Sequence, residues 1–228
     1  MALALKAADK AGYAVVAVLQ LGILAIIIAT FTHPDWVSQG SGDNEWTGSL
    51  RSCNSCNGRF DDKPYSQLAD EECALAASSN TCALFTNLYN AYVTFLVLEL
   101  LTLALLVVWM FRLLLHFLGK LFFHDCYVFL LPLIMTLLQM IGFLVWASIA
   151  RSGFHEDCGE WDISFFSTQR GPLCHEEGAN LAFANGLVMV GSTVIYYFVY
   201  MNQYKSKHHI DQGLEPAGQT AGGEDEQE

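Results

Sequence analysis

The sequence predicts an all-α membrane protein, a four-transmembrane-helix bundle that carries a small disulfide-stabilised extracellular α+β cap. Three observations predict this fold class. Of the 228 residues, 53% are hydrophobic and only 15% are charged, whereas a soluble domain has about 25% charged residues. The apolar residues are concentrated in four long runs. Six of the seven cysteines lie in two long segments, one between the first and second runs and one between the third and fourth.

The charge of the chain excludes one class of partner. There are 11 Lys and Arg residues against 23 Asp and Glu residues, which gives a formal net charge of -12. Because so acidic a chain cannot neutralise a phosphate backbone, no nucleic acid is expected as a partner. The high apolar content also excludes disorder of the whole chain.

Four apolar runs are long enough to cross a bilayer, since a helical span needs about 20 predominantly apolar residues. They are predicted as transmembrane helices at residues 13–31, 91–111, 127–150 and 181–200. The first run could also be a secretory signal. It is longer than the apolar core of a signal peptide, however, and no small-residue cleavage site follows it. We therefore interpret it as a retained helix.

The segments between the runs define the predicted topology. The sequence predicts a cytosolic N-terminal arm (1–12), a first extracellular loop (32–90), a cytosolic loop (112–126), a second extracellular loop (151–180) and a disordered cytosolic tail (201–228). Six Lys and Arg residues lie on the side of the termini. The opposite side has five, three of them inside a long loop where they count less. Both termini are thus predicted to be cytosolic in a multi-pass protein of the plasma membrane.

The cysteines of the two predicted extracellular loops support this orientation. An even number of cysteines on one side of a membrane is typical of disulfides in an oxidising compartment. Six cysteines allow fifteen pairings, of which we predict one, Cys158 with Cys174. Zinc bound through the Cys53-x-x-Cys56 pair is the alternative, but disulfides are favoured outside the cell and no metal is expected. The disulfide candidates are Cys53, Cys56, Cys73, Cys82, Cys158 and Cys174.

Both extracellular loops are predicted to contain folded structure, because the first is too long to be an idle connection. Strand-like segments lie around 36–37 and 46–50, with turn-forming residues between them. From Ser66 the first loop becomes rich in Ala, Leu and Glu, which predicts an extracellular helix that leads down into the second span. In the second loop, the apolar segment 161–166 predicts a further strand.

The residues after the first span carry a family resemblance. Pro-Asp-Trp at 34–36 is followed by Gly-Ser-Leu-Arg-Ser-Cys at 48–53 and by further cysteines. This arrangement resembles the claudin and peripheral-myelin-protein superfamily, which includes the gamma subunits of calcium channels and regulators of glutamate receptors. The family signature is a Trp after the first span, then Gly-Leu-Trp-x-x-Cys and a second Cys. Trp36, Gly48 and Cys53 match this signature.

The resemblance implies a claudin-like fold, with a small extracellular sheet and an extracellular helix before the second span. It also implies that the two signature cysteines bridge neighbouring strands, and the partner of Cys53 would be Cys56 or Cys73. The sequence departs from the signature at Leu50, which stands where the family has its second Trp, although Trp46 lies nearby.

Three polar residues deep within the predicted spans are candidates for a site, because polar and ionisable groups are costly there. Glu99 lies near the middle of the second span, and Gln20 and Gln139 lie in the first and third. They suit an ion or proton path. They equally suit a protonated Glu99 that hydrogen-bonds an amide and holds the bundle together. The lack of a basic or second acidic residue in the spans favours the second interpretation.

The sequence lacks the common catalytic motifs, so neither enzyme activity nor a cofactor is expected. The resemblance implies a non-enzymatic protein that acts through its extracellular cap. It would be an adhesion or barrier protein of cell junctions, or an auxiliary regulator of a channel or receptor. Its partners would be the lipid bilayer and another membrane protein, such as a channel, a receptor or a second copy. The alternative is a pore-forming channel or transporter subunit that uses Glu99.

Overall fold

The computed structural model describes residues 7–39, 46–56, 58–118, 126–153 and 173–212, and this part of the chain is mostly helical. The helices are α1 (Ala7–Thr32), α2 (Tyr65–Leu75), α3 (Asn80–Phe117), α4 (Cys126–Ala150) and α5 (Glu177–Gln212). The strands are β1 (Val37–Gln39), β2 (Trp46–Gly48), β3 (Cys53–Ser55), β4 (Ser152–Gly153) and β5 (Leu173–His175).

Helices α1, α3, α4 and α5 are long and apolar enough to cross a membrane, by length and composition. Their apolar stretches cover Ala11–Thr32, Asn80–Leu115, Phe129–Ala150 and Glu177–Asn202. The predicted set of four apolar helices is confirmed, as is a small sheet accompanied by disulfides. These four helices identify the chain as an integral membrane protein.

Each long helix buries one stripe and leaves the rest of its surface apolar. In α1 the buried positions recur every three or four residues, at Tyr13, Val16, Gln20, Ile23 and Ile27. The opposite face is also apolar, and its side chains are open to the surroundings: Val18 is 67% exposed. A helix that is apolar on all sides suits a bundle whose outer surface meets lipid.

Helices α2 and α3 form a hairpin. The sequence predicts one extracellular helix that leads directly into the second span, but α2 ends at Leu75 and α3 begins at Asn80. Ser79 starts the new helix, because its Oγ accepts a hydrogen bond from the backbone N–H of Cys82 at 3.0 Å. Helix α3 therefore begins well before residue 91, and α2 packs against its first part.

The five strands form one sheet in the order β3-β2-β1-β5-β4. Neighbours pair antiparallel, except β4 and β5, which are parallel. Strands β1 and β2 fall on the segments at 36–37 and 46–50, whereas β5 is a strand that the sequence did not indicate. The strand predicted at 161–166 lies outside the described residues. Because β5 pairs with β1, the sheet joins the segments after α1 and before α5.

The sheet lies at the bundle end where α1 ends and α5 begins. We call the five strands, residues 49–64 and α2 the cap. Helix α5 extends to Gln212, so residues 201–212 are helical although the sequence predicts a disordered tail from residue 201. Few helix-breaking residues occur there, which is consistent with a continuing helix. The remainder of the predicted tail lies outside the described residues.

Two apolar clusters stabilise the molecule. One joins the cap to the upper ends of the helices, and its largest members include Trp36, Trp146, Tyr65 and Phe85. The other lies between α1, α3, α4 and α5 further along the bundle and includes Tyr13, Trp109 and Tyr196. The cap and the bundle therefore share a buried core.

Candidate functional site

Trp36 joins the cap to the bundle through hydrogen bonds on three sides. Its side chain is fully buried, and its indole Nε1 donates to the carbonyl oxygen of Thr30 in α1 at 3.0 Å. Its backbone N–H donates to the carbonyl of Gly48 at 2.7 Å, and its own carbonyl accepts from the N–H of Glu176 at 3.0 Å. This one residue thereby links α1, β2 and the start of α5.

The indole ring of Trp36 also packs between two other helices. Its centroid lies 5.2 Å from the ring of Phe95 in α3 and 5.0 Å from the ring of Trp146 in α4, both edge-to-face. Gly178 of α5 approaches so closely that a Cβ there would lie 2.5 Å from Trp36 Cδ1. The Trp of the family signature is thus in contact with all four long helices.

Gly48 lies against the hydroxyl of Tyr65. A Cβ at position 48 would lie 2.1 Å from Tyr65 Oη, so a side chain there would force Tyr65 to shift. Tyr65 is 1% exposed, and its hydroxyl donates to the carbonyl oxygen of Ser49 at 3.0 Å. Burial raises the pKa of Tyr65, so the phenol stays protonated and keeps donating. The signature Gly is therefore a close-packing position between β2 and α2.

Replacing Gly48 with alanine is expected to lower the free energy of unfolding by about 1–3 kcal/mol, the usual cost of overpacking. Gly22→Ala is the matched control, because a Cβ at that position meets no atom within 4 Å. Thermal unfolding of the purified protein in detergent measures both. Adding Tyr65→Phe to Gly48→Ala should recover part of the loss, since it removes the clashing oxygen. A Gly48→Ala protein as stable as the Gly22→Ala protein would contradict this packing.

Leu50 stands at the position of the second Trp of the signature, and Trp46 lies four residues before it. Leu50 is 4% exposed and Trp46 is 3% exposed, and both belong to the cluster under the cap. The indole Nε1 of Trp46 donates to Oε1 of Gln39 at 3.1 Å, across the β1–β2 pair. Both residues at this departure from the signature are therefore part of the apolar core.

The described cysteines of the first loop form two local disulfides. Cys53 pairs with Cys56, and Cys73 pairs with Cys82. The strand-to-strand bridge that the family resemblance implies is wrong for this chain, because the Cys53–Cys56 bridge closes the turn that follows β3 and does not cross to a neighbouring strand. Cys73–Cys82 instead joins α2 to α3.

The four sulfurs that a zinc site in this loop could use are paired in these two disulfides. Within the described ranges, no group of three or more His, Cys, Asp or Glu residues could hold a metal ion. Cys174 of β5 is also disulfide-bonded. Its predicted partner, Cys158, lies outside the described residues.

Ion pairs neutralise part of the charge on the cap. Arg59 pairs with Glu72 at 2.8 Å and Lys63 with Glu71 at 2.7 Å. Hydrogen bonds from Lys63 and Gln67 lower the pKa of Glu71. Asp62 and Asp70 of the cap are also exposed. The cap thus presents a surface with unneutralised acidic positions.

His175 lies between the sheet and the bundle. Its ring packs 5.5 Å from Phe143 and 5.6 Å from Trp146, and its Nε2 lies 2.9 Å from Ser152 Oγ. Burial lowers the pKa of His175 to about 4, from the ordinary value of 6.5. The neutral ring is therefore the form that the fold accommodates.

Acid is expected to destabilise the protein through His175. Between pH 6.5 and about 4 the unfolded chain takes up a proton that the folded chain does not. The free energy of unfolding should therefore fall as the pH falls through this window, by about 1–2 kcal/mol after solvent screening. Unfolding temperatures at pH 7.5 and pH 5 measure the effect. His175→Gln should lose this part of the pH dependence and His33→Gln should keep it; equal dependence in both variants would contradict the assignment.

The polar residues of the spans form separate pairs. Gln20 Nε2 donates to Ser192 Oγ of α5 at 2.7 Å, and Gln139 Nε2 of α4 donates to Glu99 Oε1 of α3 at 2.5 Å. Gln20, Glu99 and Gln139 are all nearly fully buried. Each pair joins two helices, which is how polar groups stabilise membrane bundles. The structure thus brings Glu99 and Gln139 together and places Gln20 in a different pair.

Several residues of the cap–bundle junction carried no recognisable signal in the sequence. Gly178, Trp146 and His175 are far from Trp36 along the chain, and no local pattern connects them to it. Tyr65 is similar, because only the fold shows that its hydroxyl faces Gly48.

No protein-family model matches the sequence, and no curated protein matches it at a significant level. Similarity to the claudin superfamily therefore depends on the residues of the first loop alone.

Proposed function

We propose that this chain is a claudin-like, non-enzymatic membrane protein that acts through its cap. Its role would be adhesion or barrier formation at cell junctions, or regulation of a channel or receptor as an auxiliary subunit. In this proposal the cap is extracellular, both termini are cytosolic and the membrane is the plasma membrane. The observation that carries the proposal is the burial of Trp36, Gly48 and Cys53, the three residues that match the family signature. Trp36 and Cys53 belong to the cluster under the cap, and Gly48 lies against Tyr65 of the same cluster.

The cap is suited to bind a partner as a rigid body. Trp36 contacts all four long helices, and two disulfides close the turn after β3 and the α2–α3 hairpin. Association with a rigid surface costs less conformational entropy than association with a mobile loop. Acidic positions such as Asp62 and Asp70 favour a basic surface on the partner.

Charge reversal on the cap tests this proposal. The full-length protein would be cross-linked on intact expressing cells, purified in mild detergent and compared with the variant Asp62→Asn/Asp70→Lys. The matched control, Asp225→Asn/Glu226→Lys, makes the same change in the predicted tail. We expect the cap variant to recover less of the same cross-linked membrane protein and the tail variant to recover the wild-type amount. Equal recovery by both variants would contradict a role for the cap.

A pore or transporter subunit that uses Glu99 is the second candidate. Glu99 is 3% exposed, and Gln139 donates to one of its two carboxyl oxygens. The cavity beside Gln20 and Thr136 has about 140 Å³ of empty space and no position for a water molecule, and Glu99 does not line it. The burial of Glu99 suits a bond between helices better than a conducting path.

Ion conductance separates the two candidates. Purified protein reconstituted alone into liposomes should conduct no more than protein-free liposomes, and Glu99→Gln should behave in the same way. A conductance that Glu99→Gln abolishes would establish the pore and contradict the adhesion or regulatory role.

Alkylation of free thiols tests the proposed topology. In intact cells, without reductant, Cys53, Cys56, Cys73 and Cys82 should resist a membrane-impermeant maleimide because all four are oxidised. After reduction Cys73, the partly exposed member of its pair, should become labelled from outside the cell, whereas Cys126 should be labelled only after permeabilisation. Labelling of Cys73 or Cys82 that requires permeabilisation would reverse the orientation.

A further inference from the structure

A cavity opens where the cap meets the ends of α1 and α3. It has a volume of about 840 Å³ and is open to the surroundings on one side. Its walls come from the end of α1 and the residues after it, from the turn 49–54 and from Tyr92 of α3. Its volume is in the range of ordinary small-molecule sites.

The cavity has an apolar part and a charged part. Phe31, Leu50 and Tyr92 supply the apolar wall, and Arg51 and Asp35 supply one charge of each sign. Within the described chain, neither Arg51 nor Asp35 belongs to an ion pair. The other two cap cations of this region, Arg59 and Lys63, are already paired with carboxylates.

The backbone around Arg51 is fixed. Its N–H donates to Ser49 Oγ at 3.3 Å, and its carbonyl oxygen accepts from the N–H of Tyr65 at 2.9 Å. Ser49 and Ser52 hydrogen-bond each other through their hydroxyls at 2.8 Å, which closes the turn that presents Arg51. The guanidinium is thus an exposed cation on an ordered turn beside the cavity.

The position of the cavity indicates which molecule occupies it. The apolar stretch of α1 ends at Thr32, and Phe31 and Thr32 both line the cavity. With α1 inserted in a bilayer, the apolar wall would lie where the span leaves the hydrocarbon core, and the charged wall would lie at the level of lipid headgroups. A soluble partner of the cap would have to enter at this boundary, whereas a lipid is already present there.

We propose that this cavity binds one zwitterionic phospholipid from the leaflet on the cap side. The guanidinium of Arg51 would bind the headgroup phosphate, which suits its planar donors. Asp35 would face the ammonium group of the headgroup, and an acyl chain would follow Phe31 and Tyr92 between α1 and α3. The proposal depends on membrane insertion of the four helices and not on the claudin-like role, so either one can fail without the other.

Native mass spectrometry of the full-length protein in maltoside micelles tests this site. The protein would be titrated with dioleoylphosphatidylcholine and, separately, with three comparison compounds. Dioleoylglycerol lacks the headgroup, glycerophosphocholine lacks the acyl chains, and dioleoylphosphatidylglycerol lacks the ammonium group. Arg51→Gln removes the phosphate-binding cation, and Arg59→Gln is the matched control on the same cap.

Wild-type protein and Arg59→Gln should retain one phosphatidylcholine, and Arg51→Gln should bind it about tenfold more weakly, the effect of one charge-assisted hydrogen bond. Asp35→Asn should abolish the preference for phosphatidylcholine over phosphatidylglycerol. Because Arg51 is exposed, its substitution should weaken binding without changing the unfolding temperature.

Equal retention by Arg51→Gln and wild type would overturn the proposal. Equal binding of dioleoylglycerol would exclude headgroup recognition, and equal binding of glycerophosphocholine would identify a soluble phosphodiester instead of a lipid.

Discussion

Replacing Trp36 with alanine is expected to lower the free energy of unfolding by about 3–5 kcal/mol, the usual cost of emptying the space of a buried aromatic ring. The substitution removes the edge-to-face contacts with Phe95 and Trp146 and the hydrogen bond to the carbonyl of Thr30. Because Trp36 contacts all four long helices, we expect the cap and the bundle of the variant to unfold in two separate transitions instead of one. Thermal unfolding in detergent, followed by tryptophan fluorescence and by far-ultraviolet circular dichroism, measures both effects.

Two further variants separate the ring from the hydrogen bond. Trp36→Phe keeps an aromatic ring but removes the Nε1 donor, so we expect a smaller loss, with about 1 kcal/mol of it from the bond itself. Val18→Ala shortens a side chain that is 67% exposed on α1 and should leave the unfolding temperature nearly unchanged. If Trp36→Ala unfolded at the same temperature as Val18→Ala, Trp36 would not be the residue that joins the cap to the bundle.

Removing the Cys73–Cys82 disulfide by the double substitution Cys73→Ser/Cys82→Ser is expected to cost about 2–3 kcal/mol. The bridge constrains the α2–α3 hairpin, whose two cysteines are nine residues apart in sequence. Cys53 and Cys56 enclose a shorter loop, so the corresponding double substitution there should cost less. Unfolding temperatures with and without reductant measure the difference.

The single substitution Cys126→Ser is the control for this series, because Cys126 lies in the predicted cytosolic loop, where thiols stay reduced. It should leave both the unfolding temperature and the response to reductant unchanged. A Cys73→Ser/Cys82→Ser protein whose stability equals that of Cys126→Ser would show that the hairpin is held by packing alone, through residues such as Phe85 and Leu68.

The four apolar helices could be predicted from the sequence because the length and hydropathy of a span are local properties. The start of α3 at Asn80 could not. Its first residues are less apolar than a span, and the break before it depends on Ser79 capping the helix. The same limit applies to β5, a three-residue strand that exists because Val37 and Ser38 pair with it across the sheet.

The residues of the family signature could be located in the sequence, but not their partners. Trp36 is visible as a Trp that follows a span, while its contacts with Trp146 and Gly178 depend on how α4 and α5 pack. The sequence allowed two interpretations of Glu99, an ion or proton path and a hydrogen bond to an amide, and the structure has the hydrogen bond, with Gln139. Disulfide connectivity lay beyond the sequence, because cysteine spacing does not determine which sulfurs meet.

Helix α3 passes without interruption from the cap to the far end of the bundle. Its 38 residues make a rod of roughly 57 Å, about twice the thickness of the hydrocarbon core. When a rigid helix of this length tilts by about 5° about its midpoint, its two ends move by roughly 2.5 Å in opposite directions. A change in the tilt of α3 would therefore move the α2–α3 hairpin and the far end of the bundle together.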